Sequence, residues 1–558
     1  RTCEACHAGH HVARGRHFEH VRPKGRGAVL ADDHRRLRFV LGAEWPAARP
    51  PDVVVTGAAF MELLDTTIVN VSLPHIAGSL SSGQDESTWA LTSYLVANGI
   101  VLPISGWLSS VFGRKRFFLT CILAFTAASV LCGLAQNLPE LVVCRVLQGL
   151  FGGGLQPSQQ AILLDTFPSA QRGKAFSLTA VATVMAPVIG PTLGGWITDN
   201  YTWRWIFLIN LPVGILAWFF TMQVVEDTAT SKADPRKARH IDYPGLALIA
   251  IGFGCLQVML DRGEDDDWFG SGFIRVFAVL AFLGIVGAIL WLSVAKEPVV
   301  DLGLFRNANF SIGCALMFIF AGILYGGAVL IPQLGQQQLG YTATLAGLVL
   351  SPGALVAVAM LPVVGRLMSV VPARDLVMAG FAVLGASLLL TSRINPQISF
   401  NWLVFLRATQ TLGISLLFAP IATVTTATLR PDQNNAGGAL FSMARNLGGS
   451  VGISIATALV TERTQAHTAY LVDHLSTVDA RYNQLIQVTR QALLSLGRGT
   501  LQAQSQAPGT VYQTLRNQAS VMGYLDVFVY YGLAGLAVVP FCLLMKRSTG
   551  RGKPGAGH

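Results

Sequence analysis

Runs of about twenty predominantly apolar residues, the length an α-helix needs to cross a bilayer, recur along almost the entire chain and constrain its fold more than any other feature. About fourteen such runs can be drawn. They lie at roughly 53–72, 88–110, 117–136, 139–164, 174–197, 203–225, 244–261, 273–295, 309–333, 342–368, 375–392, 399–428, 434–461 and 523–545. Lipid offers no partner for an open backbone donor or acceptor, so runs of this length must close their hydrogen bonds within a helix. Composition agrees. Of 558 residues, 52% are hydrophobic and only 13% are charged, about half the charged share of a soluble domain. A single soluble core cannot absorb the surplus, because such cores stop growing near about 250–300 residues. The expected fold class is an all-α membrane protein.

The loops carry the orientation signal. The net charge of +10 does not read as a nucleic-acid footprint, because the basic residues sit in short clusters between apolar runs. One set of loops holds Arg114, Lys115 and Arg116, then Arg172 and Lys174, then Lys232, Arg236, Lys237 and Arg239, then Arg306, Arg366, Arg374 and Arg430. The tail adds Lys546, Arg547, Arg551 and Lys553. The opposite set holds Asp85, Glu86, Glu140, Asp199 and the run Glu264–Asp267. The basic set marks the cytoplasmic side, which places both termini there in a bacterial inner membrane and requires an even number of spans. Six of the eight cysteines (Cys121, Cys132, Cys144, Cys255, Cys314 and Cys542) lie in apolar runs and read as small buried hydrophobes, not as a disulfide framework. Residues 1–50 are basic and polar, unlike a cleavable signal peptide. The first methionine is Met61, inside an apolar run. This segment is therefore expected to be disordered or a non-native extension.

Rare polar residues interrupt the runs, and these carry the chemistry. Asp65 lies near the middle of the first run, with Glu62 one turn before it on the same face. A carboxylate at that depth costs about 2.5–3.5 kcal/mol on insertion scales, so Asp65 faces a partner or a cavity. A carboxyl that can gain and lose a proton is what a proton-coupled carrier needs; the bland alternative is an ion-paired strut. Arg145, in the fourth run, cannot shed its proton and must find a carboxylate, a carbonyl or water. Asp65 or Glu62 is its natural partner, and the alternative is snorkelling to the interface. Arg407 and Arg445 are further arginines inside runs, open to either an anionic substrate group or backbone carbonyls. Asn70, Gln148, Gln156, Arg407 and Gln410 are the candidate polar lining of a substrate cavity. In the fifth run, Pro187 and Pro191 remove backbone donors and bend the helix, while Gly190, Gly194 and Gly195 let another helix press against the bend. A repeat is visible: Pro103-x-x-Gly106-x-Leu108 before a basic turn is echoed by Pro362-x-x-Gly365-x-Leu367, and Arg145-x-x-Gln148 by Arg407-x-x-Gln410. Two homologous halves would place a binding site between them near mid-membrane.

Together these motifs resemble the fourteen-spanning drug:proton antiporters of the major facilitator superfamily, the EmrB/QacA-like group and its EmrB branch in particular. Leu64-Asp65-Thr66-Thr67-Ile68-Val69-Asn70-Val71 resembles the first-helix motif. Gly106-x-Leu108 through Gly113-Arg114-Lys115-Arg116 resembles the loop motif between helices two and three, and Arg145-x-x-Gln148-Gly149 the fourth-helix motif. Pro187 through Gly195 resembles the antiporter motif of helix five. Trp203–Gly214, Leu260–Gly263 and Gly340–Gly347 extend the likeness over roughly residues 53–548. One departure concerns Ser110, where the family's loop motif carries an aspartate that latches the cytoplasmic side. Asp165 is the expected substitute, pairing with Arg114 or Arg172.

The resemblance implies a major facilitator fold of two pseudo-symmetric six-helix bundles plus two extra helices. The expected division is a basic segment at 1–50, a first bundle at 51–225, a linker with two extra spans at 226–308, a second bundle at 309–548 and a tail at 549–558. A periplasmic insertion at 462–521 interrupts the second bundle; it reads either as a solvated amphipathic hairpin or as a docking surface. The implied function is export of hydrophobic or amphipathic compounds in exchange for protons, with no cofactor beyond the proton motive force. A membrane-fusion protein and an outer-membrane channel are the implied partners. The competing readings are an exporter of one endogenous metabolite and, remotely, a membrane redox or haem enzyme. Cys3-Glu4-Ala5-Cys6-His7 matches the c-type haem attachment pattern, with His10 and His11 as further metal ligands, but the charge rule puts it on the cytoplasmic side. Gly152–Gly154 lack the Lys-Ser/Thr of a phosphate loop. Neither an enzyme activity nor a metal site is expected.

Overall fold

A computed structural model describes residues 50–167, 171–225, 242–296, 298–341, 343–395, 397–473 and 480–545. The expectations placed on residues 1–49, on the basic loop with Lys232, Arg236, Lys237 and Arg239, and on the tail from Lys546 fall outside them. The described residues form helices and no strands. In chain order these are α1 (Pro50–Ser79), α2 (Gln84–Ser87), α3 (Trp89–Phe112), α4 (Arg114–Leu134), α5 (Leu138–Gly152), α6 (Leu155–Thr166), α7 (Arg172–Asn200), α8 (Trp205–Leu208), α9 (Asn210–Val224), α10 (Tyr243–Arg262) and α11 (Gly272–Val294). There follow α12 (Ala308–Gln337), α13 (Ala343–Val370), α14 (Ala373–Thr391), α15 (Phe400–Ser415), α16 (Phe418–Thr426), α17 (Asn434–Val472), α18 (Ala480–Ser495) and α19 (Thr500–Phe541). Among them, 11 spans are long and apolar enough to cross a membrane, or 12 when the bent α7 is taken as one. α1 and α17 run alongside them, so the long helices follow the order of the fourteen apolar runs.

Local chemistry sets the helix limits. Asn137 caps α5 by accepting from the Glu140 N–H (2.9 Å), Asp242 caps α10 at Gly245 (2.9 Å), and Asn307 caps α12 at Asn309 (3.1 Å). Each satisfies a donor that a helix start otherwise leaves open. Between α3 and α4 the chain turns through Gly113, whose φ of +85° disfavours any residue with a Cβ.

Helices α1–α9 pack together, with α5 on α3 and α4, and α1 on α7 and α9. Helices α12–α19 do likewise, with α12 on α17, α13 on α15 and α14 on α19. The two groups meet along α7 with α13 and α3 with α17. The additional pair stands outside: α10 packs on α3 and α17, and α11 on α10. α11 accordingly exposes Phe282, Leu283 and Leu290, a surface suited to lipid.

Candidate functional site

The position of Asp65 follows from how closely α1 approaches α7. α7 bends by 41° between Pro187 and Ile189, and the bend carries its glycines towards α1. A Cβ at Gly194 would lie only 2.9 Å from the Ile68 carbonyl oxygen, so only a bare backbone fits there. Thr67 donates to the Ala186 carbonyl (3.1 Å), and the Ser72 and Thr198 hydroxyls share a hydrogen bond (2.8 Å). Gly190 packs against Thr67, while Pro191 and Gly195 lie half-buried on the same stretch of α7. This stretch therefore clamps the turn of α1 that carries the carboxyls.

Asp65 is 1% exposed and Arg145 is fully buried. Arg145 Nη1 donates to Asp65 Oδ2 at 2.7 Å and to Gln148 Oε1 at 2.8 Å; its Nε donates to the Ala90 carbonyl (2.8 Å). Gln148 and Asn210 donate to Asp65 Oδ1 at 2.9 and 2.7 Å. The guanidinium also lies over the Tyr94 ring, 4.2 Å from its centroid, a cation–π contact. Of the two sequence expectations for Arg145, pairing with Asp65 is the one formed. The carboxylate is compensated by one cation and two amides, which is what keeps a buried charge tolerable.

Glu62, one turn away and 3% exposed, has a different environment. Tyr94 and Asn98 donate to its Oε1 at 2.9 and 3.0 Å, and Gln156 donates to Oε2. All three donors are neutral, and among the described residues no cation bonds to it. Tyr94 and Asn98 reach it because α5 has a glycine run facing α3. A Cβ at Gly153 would sit 2.7 Å from the Asn98 carbonyl oxygen.

A second cluster lies at the end of the bundle that carries the basic loops. Arg114 pairs with Asp165, donates from Nε to Asn435 (2.8 Å) and from Nη1 to the Ala161 carbonyl (2.9 Å). Asn434 donates to Asp165 (2.7 Å), and Arg172 donates to the Thr426 carbonyl (3.2 Å). Of the two expected partners, Asp165 takes Arg114. Ser110 spends its hydroxyl on the Trp107 carbonyl of its own helix (2.8 Å). Gly106 lets α3 meet the Asn435 backbone, and Lys115 donates to the Met222 carbonyl (2.7 Å). The bonds of Arg114 with Asn435, Asn434 with Asp165 and Arg172 with Thr426 tie the first helix group to the second at the basic end.

The remaining candidates disperse. Gln148 and Gln156 belong to the carboxyl network. Arg407 and Gln410 repeat the arginine–glutamine pair in the second group, with Arg407 Nη1 donating to Gln410 (3.1 Å) and Gln410 to Thr391 (2.9 Å). No carboxylate pairs with Arg407 among the described residues. Asn70 is exposed, away from this network. Sequence reasoning missed Tyr94, Asn98, Asn210, Asn434 and Asn435. The first two are polar residues four apart inside an apolar run, a signal that was available; Asn210 lay in the quoted Trp203–Gly214 stretch without a role.

Residues 55–453 match the family model described as Major Facilitator Superfamily. The chain belongs to that superfamily. It is 36% identical to the multidrug export protein EmrB of Escherichia coli strain K12, over 88% of this chain and 95% of that protein. It is 34% identical to the fatty acid resistance protein FarB of Neisseria gonorrhoeae, over 90% of this chain and 96% of that protein. Among solved structures it is similar to the human organic anion transporter MFSD10, with a TM-score of 0.53 at 13% identity, covering 88% of this chain and all of that one. The last likeness supports the fold alone. The chain is thus a multi-pass membrane protein, an EmrB-like member of a transporter superfamily.

Proposed function

We propose that this chain is a proton-driven exporter of hydrophobic or amphipathic compounds, working by alternating access in a bacterial inner membrane with both termini cytoplasmic. The observation that carries the reading is the Asp65–Arg145 pair buried in the first helix group, 2.7 Å across, in a chain whose relatives at 36% and 34% identity are named for multidrug export and fatty acid resistance. Protonating Asp65 removes the charge that Arg145 holds and frees both side chains to repack. A proton arriving from outside can therefore change how α1, α3, α5 and α9 fit together. The network binds and releases protons without bond-breaking chemistry, so the reading assigns neither enzyme activity nor a cofactor beyond the proton motive force. The long helices beyond the bundle, α17 to α19, would receive a membrane-fusion protein that links the carrier to an outer-membrane channel.

The test is efflux of a panel of hydrophobic dyes from proteoliposomes under an imposed pH gradient. Wild-type protein is expected to concentrate dye on the acidic side of the membrane. Asp65→Asn should reduce gradient-driven efflux, normalised to the amount of protein reconstituted, by at least about tenfold, the factor that one pKa unit represents; the normalisation matters because the variant leaves Arg145 uncompensated. Undiminished efflux by that variant would reject the role given to Asp65.

A further inference from the structure

Arg445, on α17, is 1% exposed, yet its Nε and Nη2 find no hydrogen-bond partner. Among the described residues no carboxylate lies within ion-pair distance of it. A guanidinium cannot neutralise itself by losing a proton, and a lone buried charge is costly. Across the interface stands Glu62, whose three donors are all neutral. The two are bridged at one remove: Asn446, next to Arg445, donates to Asn98 (3.4 Å), and Asn98 donates to Glu62 (3.0 Å). The charges of Glu62 and Arg445 act on each other across this gap. The other charged or titratable groups facing them are Asp65 on the same helix as Glu62, Tyr94 of α3, Arg145 of α5 through the Tyr94 ring, and Tyr325 of α12. Gln156 of α6 completes the shell of Glu62.

We propose that Glu62 and Arg445 form an ion pair in the state that opens at the basic end, made when Glu62 is ionised and absent when it carries a proton. The basic end is latched in the present structure, through Arg114, Asp165, Asn434 and Asn435, and here the pair is open. The inference rests on the exporter reading and deepens it. With the basic end open, Arg445 replaces the proton on Glu62 and so drives proton release inward. The pair then holds the empty carrier in that state until a substrate group displaces Arg445, which prevents an empty return and hence a leak. An anionic substrate on Arg445 would have the wrong sign. It would bind best when Glu62 holds a proton, so anion and proton would travel together, the opposite of exchange. Arg445 is thus a positioning residue for coupling, and the groups that displace it are cationic or hydrogen-bond-donating ends of amphipathic substrates.

The test reads the opening directly. Spin labels at Ser79→Cys of α1 and Gln336→Cys of α12, in a cysteine-free background, report the distance between the two groups at the acidic end. Without substrate, raising the pH should shorten that distance in wild type as the pair forms and the basic end opens. Arg445→Gln and Glu62→Gln should each remove the same part of the pH response, leaving only the part that Asp65 contributes, and combining them should remove no more. Arg445→Lys, which keeps the charge, should retain the response. A pH-independent distance in wild type, or a wild-type response in Arg445→Gln, overturns the pair. Should Arg445→Gln fail to accumulate, the neutral double variant Glu62→Gln/Arg445→Gln is expected to restore its level, because opposite buried charges are then removed together; no recovery overturns the pair as well. Gradient-driven efflux of the same wild-type protein separates the outcomes. Efflux without a distance response rejects the pair alone, whereas absent efflux rejects the exporter reading.

Discussion

Asp65 and Glu62 are the same kind of residue one turn apart, and their surroundings give them different work. Asp65 receives Arg145 and two amides, whereas Glu62 receives a phenol and two amides but no cation. Removing one member of a buried pair leaves the other uncompensated, typically at a cost of about 3–5 kcal/mol. Arg145→Met is therefore expected to destabilise the protein strongly, seen as a lower unfolding temperature in detergent. The double variant Asp65→Asn/Arg145→Met should recover much of the loss. Equal stability of Arg145→Met and wild type would mean that Asp65 is not held as a carboxylate by this pair. The presence of both carboxyls and of Arg145 was legible as interruptions of apolar runs. Which carboxyl took the arginine was not, because Glu62 and Asp65 share one face of α1 and the choice depends on where α5 crosses it.

At the scale of elements, the segment expected as a periplasmic insertion at 462–521 is mostly helix and partly a continuation of the spans. α17 has 39 residues and α19 has 42, so at about 1.5 Å per residue each is about twice as long as a hydrocarbon core is thick. Asp526 of α19 joins the two helices, accepting from Arg463 (2.7 Å) and bonded to His467 (2.8 Å). α18 packs on α19, has no buried residue and leaves Leu485 and Val488 exposed one turn apart. An exposed apolar stripe on a polar helix suits a helical partner. Replacing both residues by glutamate should leave efflux from proteoliposomes unchanged while reducing resistance in cells several-fold. Unchanged resistance would remove this stripe from the docking surface proposed for the membrane-fusion protein. The helical spacing of Tyr470 and Leu471, and of Tyr482 and Leu485, is legible in the sequence, but the continuity with the spans is hidden, because polar composition marks where a helix leaves lipid and not where it stops.

Across the described residues, three polar bonds join the two helix groups at the basic end, Arg114 to Asn435, Asn434 to Asp165, and Arg172 to the Thr426 carbonyl, while Asn446 to Asn98 joins them deeper in the bundle. Asp165 is the hinge of this set, since it receives both Arg114 of its own group and Asn434 of the other. Asp165→Asn keeps the shape and removes the charge. It is expected to weaken the latch and lower gradient-driven efflux several-fold, with little loss of protein in the membrane. Wild-type efflux by this variant would show that the latch does not depend on that carboxylate. The 10 Å³ cavity between α7 and α13, lined by Ser177, Ala180, Met360 and Ser415 among others, has room for about one water. A drug-sized ligand needs about 300–1,000 Å³, so this cavity is far too small to hold one in the state shown.

The sequence by itself determined that the chain is a stack of membrane helices, because apolar runs of spanning length leave the backbone no other way to satisfy its hydrogen bonds. It also marked Asp65, Glu62, Arg145 and Asp165, since charge inside or at the edge of lipid is too costly to be incidental. Only the tertiary structure decided the partners. Arg145 with Asp65, Arg114 with Asp165, and Arg445 with no carboxylate among the described residues are facts about which helix faces which. Those depend on contacts such as Gly194 against Ile68 and Gly153 against Asn98, where bare backbone lets two helices close to a distance that no single run of sequence encodes.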